Sequence, residues 1–237
     1  APLRPEIFEH AINEIVRRHD SLRTVFRDEG QGPMQIVAPT LHVPLQRMDL
    51  RNLPAMQQEA SVMDIRRERA RTTFDLDHGP LIITDLLQLS DQHWLFLLNM
   101  HHIIADGWSM GIFSKELSIL YDAYLEGRDS PLPALEIQYG EFANWQRKML
   151  CGDALDAELA YWRERLNGIA PLDLPTDQPR PPVQRHQGAF HSHNLSAELT
   201  TAVHSFSRQA GVTPFMVILA AFKAVLARCT QTEDIAV

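Results

Sequence analysis

Cysteine is scarce in this chain: of 237 residues, only Cys151 and Cys229 carry a thiol. Two distant cysteines do not make a disulfide scaffold. They suit a reducing compartment, so a cytoplasmic location is expected. An excess of cations is also missing. Lys and Arg total 22 against 30 Asp and Glu, a formal net charge of -8. Nucleic-acid binding needs clustered Lys and Arg to displace counterions, so that class of partner is disfavoured. An anionic membrane surface is disfavoured by the same charge. No apolar run reaches the roughly 18 residues of a membrane-spanning helix. The nearest, residues 213–229, is interrupted by Lys223 and Arg228. No secretory leader pattern is visible. Neither a CxxC pair nor an HExxH pair is present, and no metal or tightly bound cofactor is expected. No internal repeat is found.

What the chain does have is an ordinary globular balance. Hydrophobic residues make up 45% and charged residues 22%, enough to build a core in one large or two small domains. Ile7, Phe8, Ala11, Ile12, Ile15 and Val16 fall on one helical face. Gly30-Gln31-Gly32-Pro33 breaks that pattern, and residues 34–38 read as a short strand. Residues 54–73 are highly charged with a thin apolar stripe, as in a surface helix. Residues 81–89 and 93–100 read as a hairpin around Ser90-Asp91-Gln92. The second of these strands is nearly all apolar and is expected to be central. Helical spacing returns at Phe113, Leu117, Leu120, Tyr121 and Tyr124, then over 138–150 and 153–167. Tyr139 and Trp145 are expected in the core. Prolines 171, 175, 179, 181 and 182 mark an extended crossing segment. Residues 190–195 read as a strand, and 197–210 and 213–228 as helices with Thr213-Pro214 as a cap. The chain starts without Met near a helical pattern, and residues 234–237 read as a strand just beginning. A piece of a longer polypeptide is expected. Alternating strands and helices place the chain in the α/β or α+β class.

The chemistry concentrates in His101-His102-Ile103-Ile104-Ala105-Asp106-Gly107-Trp108-Ser109, between the second hairpin strand and a helical pattern. A histidine there exchanges protons near neutral pH. Three readings compete: a metal site, two histidines satisfied in a core, and catalysis. Adjacent strand residues point to opposite faces, so both imidazoles do not easily meet one metal. In the catalytic reading one histidine faces a cleft, and the turn brings Asp106 back beneath it. The order HHxxxDG points toward acyl transfer.

Four ordered stretches resemble the condensation domains of nonribosomal peptide synthetases, within the chloramphenicol acetyltransferase-like superfamily. His101–Gly107 matches HHxxxDG. Arg18-His19-Asp20-Ser21-Leu22-Arg23-Thr24-Val25-Phe26 resembles RHExLRTxF, with Asp20 where Glu is usual. Phe74-Asp75-Leu76 through Gly79-Pro80-Leu81 resembles FDLxxGPL. Tyr139-Gly140-Glu141-Phe142-Ala143-Asn144-Trp145 resembles YxDFAxW, with Glu141 where Asp is usual.

The resemblance implies an α/β sandwich of two chloramphenicol acetyltransferase-like lobes. Residues 1–170 would form most of the N-terminal lobe, 171–187 the crossing and 188–237 the start of the second lobe. The usual first signature and nearly all of the C-terminal lobe are absent. The implied activity is amide formation between a donor acyl thioester and an acceptor aminoacyl thioester. Both ride on the 4′-phosphopantetheine of donor and acceptor peptidyl carrier proteins, beside an adenylation domain of the same megasynthase. His102 is implied as the active-site histidine, taking a proton, positioning the amine or stabilising the intermediate. His101 is implied as a packing and hydrogen-bonding residue. Asp106 is implied as a buried carboxylate pointing away from substrate and paired with Arg23. Gly107 is implied to leave room for substrate. Trp108 and Ser109 are common in the subtype joining two L-residues, and are candidates for the substrate tunnel. Epimerisation domains usually lack that pair, and heterocyclisation domains replace the histidines with aspartates. An ester-forming or free-acceptor relative and a non-catalytic recruiting domain remain as alternatives.

Overall fold

The computed structural model describes residues 3–30, 32–179, 181–183, 188 and 191–237. Contacts divide the chain into two compact units, Ala1–Cys151 and Gly152–Val237. The break falls earlier than the boundary at residue 170 that the resemblance implies.

The first unit begins with α1 (Pro5–Arg18). Pro5 suits the first helical turn, Glu6 complements the positive end of the helix, and Arg17 and Arg18 complement the negative end. Ala11, Ile12, Ile15 and Val16 form its buried stripe. A 3-10 turn, Asp20–Arg23, buries Leu22 and leads into β1 (Thr24–Asp28). β1 pairs antiparallel with β2 (Pro33–Val37). Asp28 closes this hairpin by accepting hydrogen bonds from the Gly30 and Gly32 amides at 2.9 and 3.1 Å.

A second sheet has the order β3 (Leu45–Asp49), β4 (Ile82–Gln88), β5 (Trp94–Met100). β3 runs parallel to β4, and β5 runs antiparallel to it. α2 (Ala55–Ala70) makes the crossover between the parallel strands. β4, not β5, is therefore the middle strand, a correction to the sequence reading. The reason is that apolarity reports what covers a strand's faces, whereas strand order is decided by edge pairing. Ile82 and Leu86 of β4 join the main core, while Asp85 and Leu87 are buried outside that cluster on alternating positions. α3 (Gly107–Leu125) packs against α1, and its Phe113, Leu117 and Leu120 complete the same core. Each large aliphatic side chain buried there contributes about 1.5–3 kcal/mol of transfer free energy. β1 and β3 had no clear period-2 signal, being short and polar on one face.

α4 (Tyr139–Met149) buries none of its residues. Tyr139 and Trp145 are 57% and 56% exposed, so their expected place in the core is overturned. Within the first unit α4 meets the 3-10 turn.

The second unit holds α5 (Gly152–Arg165), α6 (Ala197–Ala210) and α7 (Pro214–Thr230). Ser196 caps α6 through the Leu199 amide, and Thr213 caps α7 through the Met216 amide, both at 3.2 Å. Gly211, with φ of 67°, ends α6 in the left-handed region that glycine tolerates. The strand expected at 190–195 is not found over 191–195, and Phe190 lies outside the described residues. Residues 234–237 likewise form no strand. A strand needs a pairing edge, and among the described residues the second unit has no other strand to supply one. Among the described residues, no single helix is long and apolar enough to cross a membrane.

α2 buries none of its side chains and is held chiefly by polar ties. Arg69 donates from Nε and Nη2 to the two carboxylate oxygens of Asp85 at 2.7 and 2.8 Å. Asp85 is 1% exposed, so removing Arg69 leaves a buried carboxylate without its cation. Breaking a buried pair from one side costs about 3–5 kcal/mol. Arg69→Ala is expected to lower the unfolding free energy by about that amount in a urea titration, and a change below about 1 kcal/mol would contradict this role.

Candidate active site

The HHxxxDG segment spans the gap between the end of β5 and the first turn of α3. The His101 amide continues the strand pairing by donating to the Leu81 carbonyl at 3.0 Å. His101 Nδ1 then accepts from the Ile103 amide at 3.1 Å, and its ring meets Phe74 edge-on. His101 is thus tied within the loop by its ring nitrogen and packed against Phe74. The Ile104 amide donates to the His101 carbonyl, and the Ile104 side chain is buried in the core. These ties turn the chain sharply and leave His102 exposed.

Asp106 begins α3. Its Oδ1 accepts from the Ser109 amide at 2.9 Å and from Ser109 Oγ at 2.6 Å. Ser109 Oγ in turn accepts from the Asp106 amide at 3.2 Å, completing a capping box. The Ser109 hydroxyl, followed by the Ser109 amide, holds the Asp106 carboxyl below its ordinary range.

This overturns two expectations. Asp106 is exposed rather than buried, and its partner is Ser109 rather than Arg23. Arg23 instead donates to Asp20 and to the Ala38 carbonyl, and its Nε is buried without a partner. The physical reason is local: free amides and the positive end of the helix macrodipole surround Asp106 within its own turn. Arg23, at the end of the 3-10 turn, is drawn toward the β1–β2 hairpin.

A cleft of about 160 Å³ is lined by Ser21, His102, Ile103, Ile104, Ala105, Asp106, Ser109 and Tyr139. An apolar cavity of about 100 Å³ shares Ser21, Ile104, Ala105 and Ser109 with it and continues to His19, Ile15 and Phe113. His102, Asp106 and Ser109 are therefore brought together. Gly107 opens onto free space, where an added Cβ would meet nothing within 4 Å. Trp108 is 84% exposed and lies outside the lining of both cavities. Sequence reasoning missed Ser21 and Tyr139 as walls of the cleft. Their signal was present, because both belong to the stretches that resemble family signatures. Also missed was Glu116, a carboxylate on the apolar stripe of α3 between Phe113 and Leu120. Among the described residues, no group of three or more His, Cys, Asp or Glu side chains gathers as a metal-ligand set.

A family model described as Condensation domain matches residues 1–237. A linear gramicidin synthase of Brevibacillus parabrevis is 43% identical over 233 residues, covering 98% of this chain and 3% of that protein. Phosphinothricin tripeptide synthetase PhsC of Streptomyces viridochromogenes is 42% identical over 237 residues, covering 100% of this chain and 22% of that protein. This chain thus spans less than a quarter of the length of either relative. Among solved structures, SgcC5 from Streptomyces globisporus aligns with a TM-score of 0.77 at 28% identity, over 99% of this chain and 53% of that one. The cyclization-docking bidomain of EpoB from Sorangium cellulosum aligns with a TM-score of 0.81 at 23% identity, over 97% of this chain and 45% of that one. The latter likeness concerns fold alone, and it agrees with the α/β, chloramphenicol acetyltransferase-like class.

The cap generates a pH prediction. The folded-state pKa of Asp106 is depressed, so its stabilising contribution is present above the ordinary value of 3.8 and is lost as pH falls through the lower folded value. Asp106→Ala is expected to lower the melting temperature at pH 7, with the gap to wild type closing below pH 4. Asp106→Asn, which keeps a capping acceptor, is expected to lose less. Melting curves recorded from neutral to acid pH check this; a gap that persists unchanged into acid would remove the carboxylate from the argument.

Proposed function

This chain belongs to the condensation-domain family, and we propose that its His102 cleft serves amide formation in nonribosomal peptide synthesis. The donor is an acyl or peptidyl thioester and the acceptor an aminoacyl thioester, each on the 4′-phosphopantetheine of a peptidyl carrier protein. The observation that carries this reading is the intact HHxxxDG loop, pinned at both ends so that His102 is exposed and lines a cleft.

In this reading the acceptor nitrogen attacks the thioester carbonyl carbon, the carbon–sulfur bond breaks and the carrier thiol leaves. One proton must leave the nitrogen as the new bond forms. His102 either takes that proton or holds the amine in line for attack. Ser21 and Tyr139, across the cleft, bound the space in which the amine sits. Open space at Gly107 admits the thioester close to the first amides of α3, where a developing negative charge is favoured. The pair Trp108-Ser109 supports the subtype that joins two L-residues, although Ser109 also acts in the cap. Residues 1–170 serve as most of an N-terminal lobe, 171–187 as a crossing and 188–237 as the start of a second lobe. The adjoining adenylation domain supplies the activated acceptor, and the whole works in the cytoplasm without nucleic acid or membrane as partner.

One observation favours a second reading. SgcC5 was solved in complex with a naphthyl-ethanediol, an alcohol. An alcohol oxygen attacking the same thioester would give an ester from an unchanged loop.

The deciding experiment uses the complete domain with loaded donor and acceptor carriers and follows product by mass spectrometry, with amine and alcohol acceptors offered in parallel. Amide is the expected product. His102→Ala, folded as wild type, is expected to lose about 10²-fold or more in rate. Undiminished amide formation by that variant ends the role of His102. Ester without amide selects the second reading. The isolated 237 residues are expected to turn over little or not at all, and native-like turnover by them would refute that expectation.

A further inference from the structure

The cleft has three walls, and each comes from a different element. Ser21 belongs to the 3-10 turn, residues 102–106 and Ser109 to the loop before α3 and its first turn, and Tyr139 to the first turn of α4. Away from the cleft, a buried carboxylate of α3 binds the junction before the 3-10 turn, and hydrogen bonds continue from that junction to the residue before α4. Glu116 is 8% exposed and lies about two and a half turns into α3. Its Oε1 accepts from Arg18 Nε at 3.1 Å, and its Oε2 lies 2.7 Å from His19 Nε2. Arg18 and His19 form the junction between α1 and the 3-10 turn. From that junction the network passes to α4. Gln138, which precedes α4, donates from Nε2 to the Arg18 carbonyl at 2.9 Å and accepts at Oε1 from the Asp20 amide at 3.1 Å. Arg18 also donates to the Pro133 carbonyl.

We infer that Glu116, with His19 and Gln138, is a positioning residue that sets the relative placement of the three walls around His102. The inference rests on the reading of that cleft as the reaction site. Glu116 touches neither His102 nor the cleft, so its effect is indirect. A buried carboxylate retains its place only while its donors are present, which makes it a discriminating clamp rather than a general adhesive. Apolar packing between α1 and α3 permits small slides. Two charge-assisted hydrogen bonds of fixed geometry do not. A displacement near 1 Å at such a site costs about 10²-fold in rate.

The test uses the complete domain and two readouts. Glu116→Gln keeps the volume and one acceptor but loses the charge, and His19→Ala removes one donor. The first readout is hydrogen–deuterium exchange. Faster exchange is expected together in residues 20–23, 101–106 and 138–141, with the β4–β5 hairpin unchanged. Exchange unchanged in those segments, or raised equally across the sheet, overturns the inference. The second is amide formation at saturating carriers. About 10–100-fold loss is expected with KM for both carriers within about twofold. The two substitutions are expected to be non-additive, since both act on the Glu116–His19 hydrogen bond. In a His102→Ala background, Glu116→Gln is expected to add no further loss. Multiplying losses, or wild-type rates from both folded variants, would also overturn it. Absence of product from wild type bears on the amide reading alone, because the exchange result still decides the network.

Discussion

Strand β4 is covered on both faces and paired on both edges, and the first unit is arranged around that requirement. On one face, Ile82 and Leu86 need apolar cover, which α1 and α3 supply with Ile12, Ile15, Val16, Phe113 and Leu120. Asp85 lies at an alternating position and needs a cation, supplied by Arg69 at the end of α2. The two demands differ in kind. Apolar cover is satisfied by any well-packed stripe, whereas the buried carboxylate selects one donor in one geometry. α2, which buries nothing of its own, is thereby tied to the sheet at a defined height.

The site follows from the same framework. β5 pairs with β4 along its length, so the backbone of His101 is fixed by the Leu81 carbonyl at the end of that pairing. α3 starts where Asp106 and Ser109 cap it. Between these anchors only a short turn remains, and Ile104 is drawn into the core beneath it. His102 has nowhere to go but outward. Its exposure results from strand pairing on one side and helix capping on the other. Neither anchor requires a substrate, so the loop is organised before anything binds, which is the condition for efficient positioning.

Much of this was legible without coordinates. The apolar stripe of α1, the β4–β5 hairpin, the surface character of α2 and the cap of α7 each follow from periodicity or from residue types at fixed local spacing. The HHxxxDG loop and the stretches around Ser21 and Tyr139 were visible as residue patterns. The illegible parts share a cause. The place of β4 in the middle of its sheet, the exposure of Tyr139 and Trp145, and the partner of Asp106 all depend on what lies across a gap from distant sequence. Trp145 is of a type common in cores, yet it is 56% exposed. Arg23 has the charge to pair with Asp106, yet Asp20 and the Ala38 carbonyl are nearer.

The sequence by itself therefore determined local states: where helices start and stop, which face of α1 is apolar, and which residues form the HHxxxDG loop between β5 and α3. These depend on interactions within a turn or two, whose partners lie at fixed separation along the chain. The tertiary structure alone decided strand order, the pairing of Glu116 with Arg18 and His19 across 98 and 97 residues, and which side chains share the cleft with His102. Those outcomes turn on which of several chemically adequate partners comes within hydrogen-bond distance, and only the packed backbone sets that distance.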